Sequence, residues 1–91
     1  MNNERRKVIA EIIKMAEEMA GRLSDIASQI ESLKDEEKEA FDNMPESLQQ
    51  SERGQVSEAA IASLEDAHEE ANSAFEATES ICSNLDGAAN G

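Results

Sequence analysis

From Ile9 to Met44 the chain places Ile9, Ile12, Ala16, Met19, Leu23, Ile26, Ile30, Leu33, Glu37, Ala40 and Met44 at alternating steps of three and four. Only Glu37 interrupts the apolar run. A repeat of 3.5 residues sustained over that many turns suits an α-helix with one buried stripe and does not suit a strand, whose period is two. With Ile9, Ala16, Leu23 and Ile30 as the a positions and Ile12, Met19, Ile26 and Leu33 as the d positions, the e positions are Ile13, Ala20, Ala27, Lys34 and Phe41. Three positions in seven are therefore mostly apolar, the width of a bundle helix rather than of a two-stranded seam. Residues 4–42 contain no Pro and one Gly, Gly21. The spacing predicts one helix over 4–42, roughly 55–60 Å long.

A second stretch follows the same rule with smaller residues. Ala60, Leu64, Ala67, Ala71, Ala74, Thr78, Ile81 and Leu85 are spaced by fours and threes, flanked by Ile61, His68, Phe75 and Cys82. Residues 56–85 lack Gly and Pro, and the pattern predicts a second helix over 52–85. An alanine face lets a bulkier helix approach closely. Between the helices, Pro45 stops the first and opens a short helical turn at 45–50, with Leu48 tucked beneath. Ser51 is the expected N-cap of the second helix, and Gly54 falls inside that helix, where a close backbone contact would explain it. Asp86-Gly87 reads as a helix stop followed by a flexible tail over 87–91. The fold class is all-α: an antiparallel two-helix hairpin, one domain over 1–86, expected to assemble into a homo-oligomeric bundle.

The reason for expecting assembly is register. A turn near 45–55 sets Ala40 opposite about Ala60, Ile30 opposite about Ala71 and Leu23 opposite about Thr78. Leu85 then reaches only to about Ala16, so Val8, Ile9, Ile12 and Ile13 overhang uncovered. Burying such a side chain is worth roughly 1.5–3 kcal/mol, and four exposed together invite aggregation. The expected self-association set is Val8, Ile9, Ile12, Ile13, Ala16 and Phe75. The alternatives for the overhang are docking on a foreign partner or fraying.

Charge limits the partners. The 91 residues carry 8 Lys+Arg and 21 Asp+Glu, a net −13, with 2% aromatic residues and one Cys. Such a field repels nucleic-acid phosphate and anionic lipid. No apolar run is long enough to span a membrane and no secretory leader is evident, so a cytoplasmic location is expected, in keeping with a lone Cys. Residues 1–53 hold all 8 basic residues and 13 acids, a net −5; residues 54–91 hold 8 acids and no base. The second helix is thus acidic outside, and a further acidic group gathers near the hairpin tip. The acidic surface expected to meet a partner comprises Glu36, Glu39, Asp42, Glu46, Glu58, Glu65, Asp66, Glu69 and Glu76. The other reading of these charges is a solvated, solubilising face. Arg5, Arg6 and Lys7 open the first helix, where cations oppose the macrodipole; acids such as Glu79 or Asp86 of a neighbouring copy could pair with them.

Little points to chemistry. Glu65-x-x-His68 has the spacing of di-iron carboxylate bundles, but Leu64 and Ala67 face the core, which turns Glu65 outward and leaves His68 on a flank beside an acid. Cys82 has no His near it and reads as a small hydrophobe. Phosphate loops, nucleophile elbows and zinc spacings are missing. No enzyme, metal or cofactor is expected.

The connector Phe41-Asp42-Asn43-Met44-Pro45-Glu46-Ser47-Leu48-Gln49-Gln50-Ser51-Glu52-Arg53-Gly54, followed by an acidic helix, resembles that of small acidic helical-hairpin proteins of bacteriophages and prophages. The resemblance covers about residues 30–85. It implies a non-enzymatic accessory role: binding and inhibiting a host defence protein with a basic surface, by imitation of DNA, from within the host cytoplasm. It carries over no functional residue. One alternative is an oligomeric sponge for small nucleotide signals, for which Arg5, Arg6, Lys7, Arg22 and Arg53 are the available cations. The other is a structural helical assembly protein with no ligand of its own.

Overall fold

The computed structural model describes residues 1–91 and is all-helical: α1 spans Asn3–Asp42, α2 spans Glu46–Gln49 and α3 spans Glu52–Asn90. There is no strand. The chain divides into two compact units, a first of Met1–Asp25 with Ala71–Gly91 and a second of Ile26–Glu70. In each unit a stretch of α1 lies antiparallel to a stretch of α3.

In the second unit the turn is held by polar groups. Pro45, at φ −56° and ψ 147°, caps α2 from outside the helix, so it sits one place before the position expected from sequence. Its carbonyl accepts from the amides of Leu48 (2.9 Å) and Gln49 (3.1 Å). The Gln49 side chain donates Nε2 to the carbonyl of Phe41 at 2.9 Å, satisfying one of the last carbonyls of α1. Ser51 does not cap α3 with its side chain. Its hydroxyl turns back and donates to the carbonyl of Leu48. Leu48 is 40% exposed rather than tucked under the hairpin, because Gln49 takes the inward position.

Gly54 is buried in the first turn of α3. A Cβ there would fall on the carbonyl of Gln49 and 2.6 Å from the carbonyl oxygen of Leu48. The close backbone contact expected of this glycine is present, and it lets α3 begin directly against α2. The helix bounds around the turn are those expected, but the pairing register differs. Glu37 meets Ser57, the hydroxyl donating at 2.7 Å to a carboxylate oxygen. Ser57 is the most deeply buried polar residue, 4% exposed. The expected pairing of Ala40 with Ala60 is replaced by this one.

The first unit shows the same shift. Cys82 Sγ lies 4.0 Å from the carbonyl of Ile13, and Arg6 Nε donates to the carbonyl of Ala89 at 3.0 Å. The second of these contacts needs residues past Gly87, where α3 was expected to stop. The helix continues through Gly87 to Asn90, so residues 87–90 are helical instead of forming a tail. The expected overhang at 8–13 is thereby corrected: Ile9 is 8% exposed and Ile13 half-buried. At the other end of α1's first turn, Asn2 Oδ1 accepts from the amide of Arg5 at 2.8 Å, an N-cap.

The buried set is small. Ile9, Ala20, Ala27 and Ala71 are the buried apolar residues, and no large side chain is fully buried. On α1 the a and e positions turn inward, including Ile9, Ala20 and Ala27, while the d positions Ile12, Met19, Ile26 and Leu33 are 37–53% exposed. On the alanine face of α3, Ala71 is buried and Ala60, Ala67 and Ala74 are half-buried.

Candidate functional site

All nine acidic residues singled out from sequence are exposed. Helix geometry groups some and separates others. In the second unit, Glu58, Glu65 and Glu69 follow steps of seven and four on α3. At 100° per residue they share one solvent-facing line of the helix. Glu76 belongs to the first unit and is exposed there. Asp66 stands on a different side of α3. Glu36, Glu39 and Asp42 are spread around the last turns of α1, and Glu46 opens α2. The second unit thus carries a short row on α3 together with scattered charges, rather than a single patch.

None of the nine lies within 4 Å of a lysine or arginine nitrogen. His68 Nε2 lies 3.5 Å from Glu31 Oε2, with the His68 side chain 24% exposed and Glu31 55%. His68 is therefore a flank residue against an acid, on the side the sequence frame indicated, and Glu65 points away from it into solvent. No three His, Cys, Asp or Glu side chains converge as a metal-binding group.

The basic residues are not gathered. Arg5, Arg6 and Lys7 lie in the first turns of α1, and Arg22 is four turns on, about 22 Å along the axis from Lys7. Arg6 is engaged with Ala89 and, at 3.4 Å, with Asn3 Oδ1. Arg53 belongs to the second unit, in the first turn of α3. An open cavity of about 450 Å³ in the first unit is lined by Glu17, Ala20, Gly21, Phe75, Glu79 and Cys82. Its two charged residues are both acids, which disfavours a nucleotide phosphate there.

The residues expected to mediate self-association separate. Ile9, Ile13 and Ala16 line the seam between α1 and α3, and Phe75 is half-buried at the cavity. Val8 and Ile12 remain 53% and 37% exposed. Met15 (61%), Met19 (51%) and Ile81 (49%), absent from the sequence-based set, are exposed beside them. The signal for Met19 was present in its d position. What was not legible is that a and e, and not a and d, face α3.

Two polar contacts at the tip also went unread. Glu37 was only a break in the heptad pattern, whereas it receives the hydroxyl of Ser57. Gln49 was one of several polar connector residues, whereas it holds the C-terminal end of α1.

No helix is long and apolar enough to cross a membrane. Comparisons with known proteins found no matching family model, no matching curated protein and no matching solved structure.

Proposed function

We propose that this chain is a non-enzymatic interaction protein, a self-associating helical hairpin that binds a basic protein surface through the carboxylates of α3 and the tip. The observation that carries the reading is the row Glu58, Glu65 and Glu69 of the second unit. It is fully solvent-facing, free of lysine or arginine partners, and set on a helix with no basic residue after Arg53. Self-repulsion along such a row costs stability and is relieved when cations approach. The spacing of charge along a rod-like helix also supports imitation of a nucleic-acid backbone, and a host nucleic-acid-binding protein is the partner class that fits. The phage accessory role rests on the connector's resemblance, and inhibition of a host defence protein is the form it would take.

The test uses the whole chain and a variant with Glu58, Glu65, Glu69 and Glu76 replaced by Gln. Wild-type protein is expected to retain basic, nucleic-acid-binding proteins from a bacterial lysate and to release them steeply as salt rises, because complementary charge governs such association. Purified, the retained protein should bind the variant at least about tenfold more weakly. Equal retention by the variant, or binding indifferent to salt, contradicts the proposal.

A further inference from the structure

The open cavity of about 450 Å³ lies wholly within the first unit. Its volume falls in the range of small-molecule sites, roughly 300–1,000 Å³. Both helices supply it from one face. Glu17 and Gly21 are one turn apart on α1, and Phe75, Glu79 and Cys82 follow steps of four and three on α3. The contact of Cys82 Sγ with the Ile13 carbonyl sets the register. In an antiparallel pair, Glu17 then comes level with about Thr78 and Glu79, and Gly21 with about Ala74 and Phe75. The cavity therefore has two parts. Two carboxylates flank one level, and Ala20, Gly21 and Phe75 form an apolar level one turn away, roughly 6 Å along the axis.

Two independent observations say what such a cavity takes. The first is charge. Glu17 and Glu79 are its charged residues, both are exposed, and neither has a lysine or arginine nitrogen within 4 Å. Two uncompensated carboxylates beside an apolar floor attract a cation and repel an anion. The second is Gly21. A glycine in a helix interior is destabilising relative to alanine. Gly54 has a backbone neighbour that requires the missing side chain, whereas a Cβ at Gly21 would meet nothing within 4 Å. What the glycine provides is room. It keeps the apolar level open beside half-buried Phe75, where a flat group can lie against the ring.

We propose that this cavity binds a small organic cation with a flat apolar body. Its amidinium, guanidinium or ammonium head lies between Glu17 and Glu79, and its body lies over Gly21 beside Phe75. A planar head suits the carboxylates best, because it offers paired N–H donors. The ring of Phe75 adds attraction for a cation or a flat aromatic body. The site is separate from the carboxylate row of the second unit and does not depend on the partner proposed for that row.

The test uses benzamidine as the probe and the full chain carrying 13C-labelled phenylalanine. The chain has two phenylalanines, Phe75 in the first unit and Phe41 in the second, so Phe41 is an internal control. Ring shifts are followed in proton–carbon correlation spectra up to about 10 mM benzamidine, the range in which so small a ligand binds. The proposal requires a saturable shift at Phe75 with Phe41 unmoved. Benzamide, uncharged and of nearly the same shape, should bind at least about tenfold more weakly. So should benzamidine to the double variant Glu17→Gln, Glu79→Gln. Gly21→Leu, which fills the cavity with a good helix former, should abolish the Phe75 shift while circular dichroism shows the helix content unchanged. Equal shifts at both rings, which general attraction to a chain of net −13 would produce, overturn the proposal. So do benzamide binding as tightly as benzamidine, undiminished binding to helical Gly21→Leu, and the absence of a saturable Phe75 shift in the wild-type chain.

Discussion

The two units of this chain are built from the same two helices and differ in what they show to solvent. The first, Met1–Asp25 with Ala71–Gly91, carries 5 basic and 8 acidic residues, a net −3; the second, Ile26–Glu70, carries 3 and 13, a net −10. In the first, Val8, Ile12, Met15, Met19 and Ile81 stand exposed as one apolar face. In the second, the exposed large apolar residues are Ile26, Leu33, Leu48 and Val56, with Leu33 beside Ser28, Gln29 and Ser32. They differ in how they are fastened, too. The second unit has a buried serine–carboxylate bond, a side chain on a helix-end carbonyl and a glycine at backbone contact. The first has alanines in its seam and an arginine on a terminal carbonyl. Charge is concentrated where polar contacts fix the turn, and the unit of lower charge carries the apolar face.

Glycine substitutions give the sharpest contrast between the units. Gly54→Ala drives a Cβ into the carbonyls of Gln49 and Leu48, and overpacking against backbone is expected to cost about 3 kcal/mol. Thermal melts followed at 222 nm should show it; an unchanged midpoint would mean that α2 moves aside freely. Next is Ile9→Ala in the first unit, expected to cost about 2 kcal/mol because Ile9 is 8% exposed. Met15→Ala, measured in the same urea titration at concentrations low enough for a monomer, should cost under about 0.5 kcal/mol. Similar costs for both would remove the distinction between seam and open face. Ser57→Ala removes the bond to Glu37 and is expected to cost about 1.5 kcal/mol. Glu37→Gln, which can still accept that hydrogen bond, should cost less, and the reverse order would contradict the hydrogen-bond account. Gly21→Ala has the opposite sign. A Cβ there meets nothing within 4 Å, and the helix interior should gain about 0.5–1 kcal/mol. A loss instead would place an unseen neighbour at that site.

Much of this fold was legible in sequence for a physical reason: periodicity and helix breakers are local. The long first helix, the short helical turn after Pro45 and the start of α3 at Glu52 follow from them within a residue or two. Register was not legible, because it depends on how closely α3 can begin against α2, and that is decided by the missing side chain of Gly54. The C-terminal end of α3 was misjudged for a related reason. Gly87 signals a stop only where the backbone turns left-handed, and here no glycine has positive φ. Contact between the Arg6 side chain and the carbonyl of Ala89 holds the last turn in place of a cap. At the candidate site, exposure of the acids could be read from their frame. Their arrangement as a row on α3, and the division of the apolar face between a seam and an open stripe, required the register.

The self-association proposed for this hairpin must bring together copies of net −13, so charge works against their meeting. Equilibrium sedimentation of the wild-type chain in low and high salt tests this directly. The expected mass at about 100 µM approaches twice 9.9 kDa, and the dimer tightens as salt rises to about 0.5 M because screening relieves repulsion between copies of net −13. A mass of 9.9 kDa at every concentration and salt would contradict it.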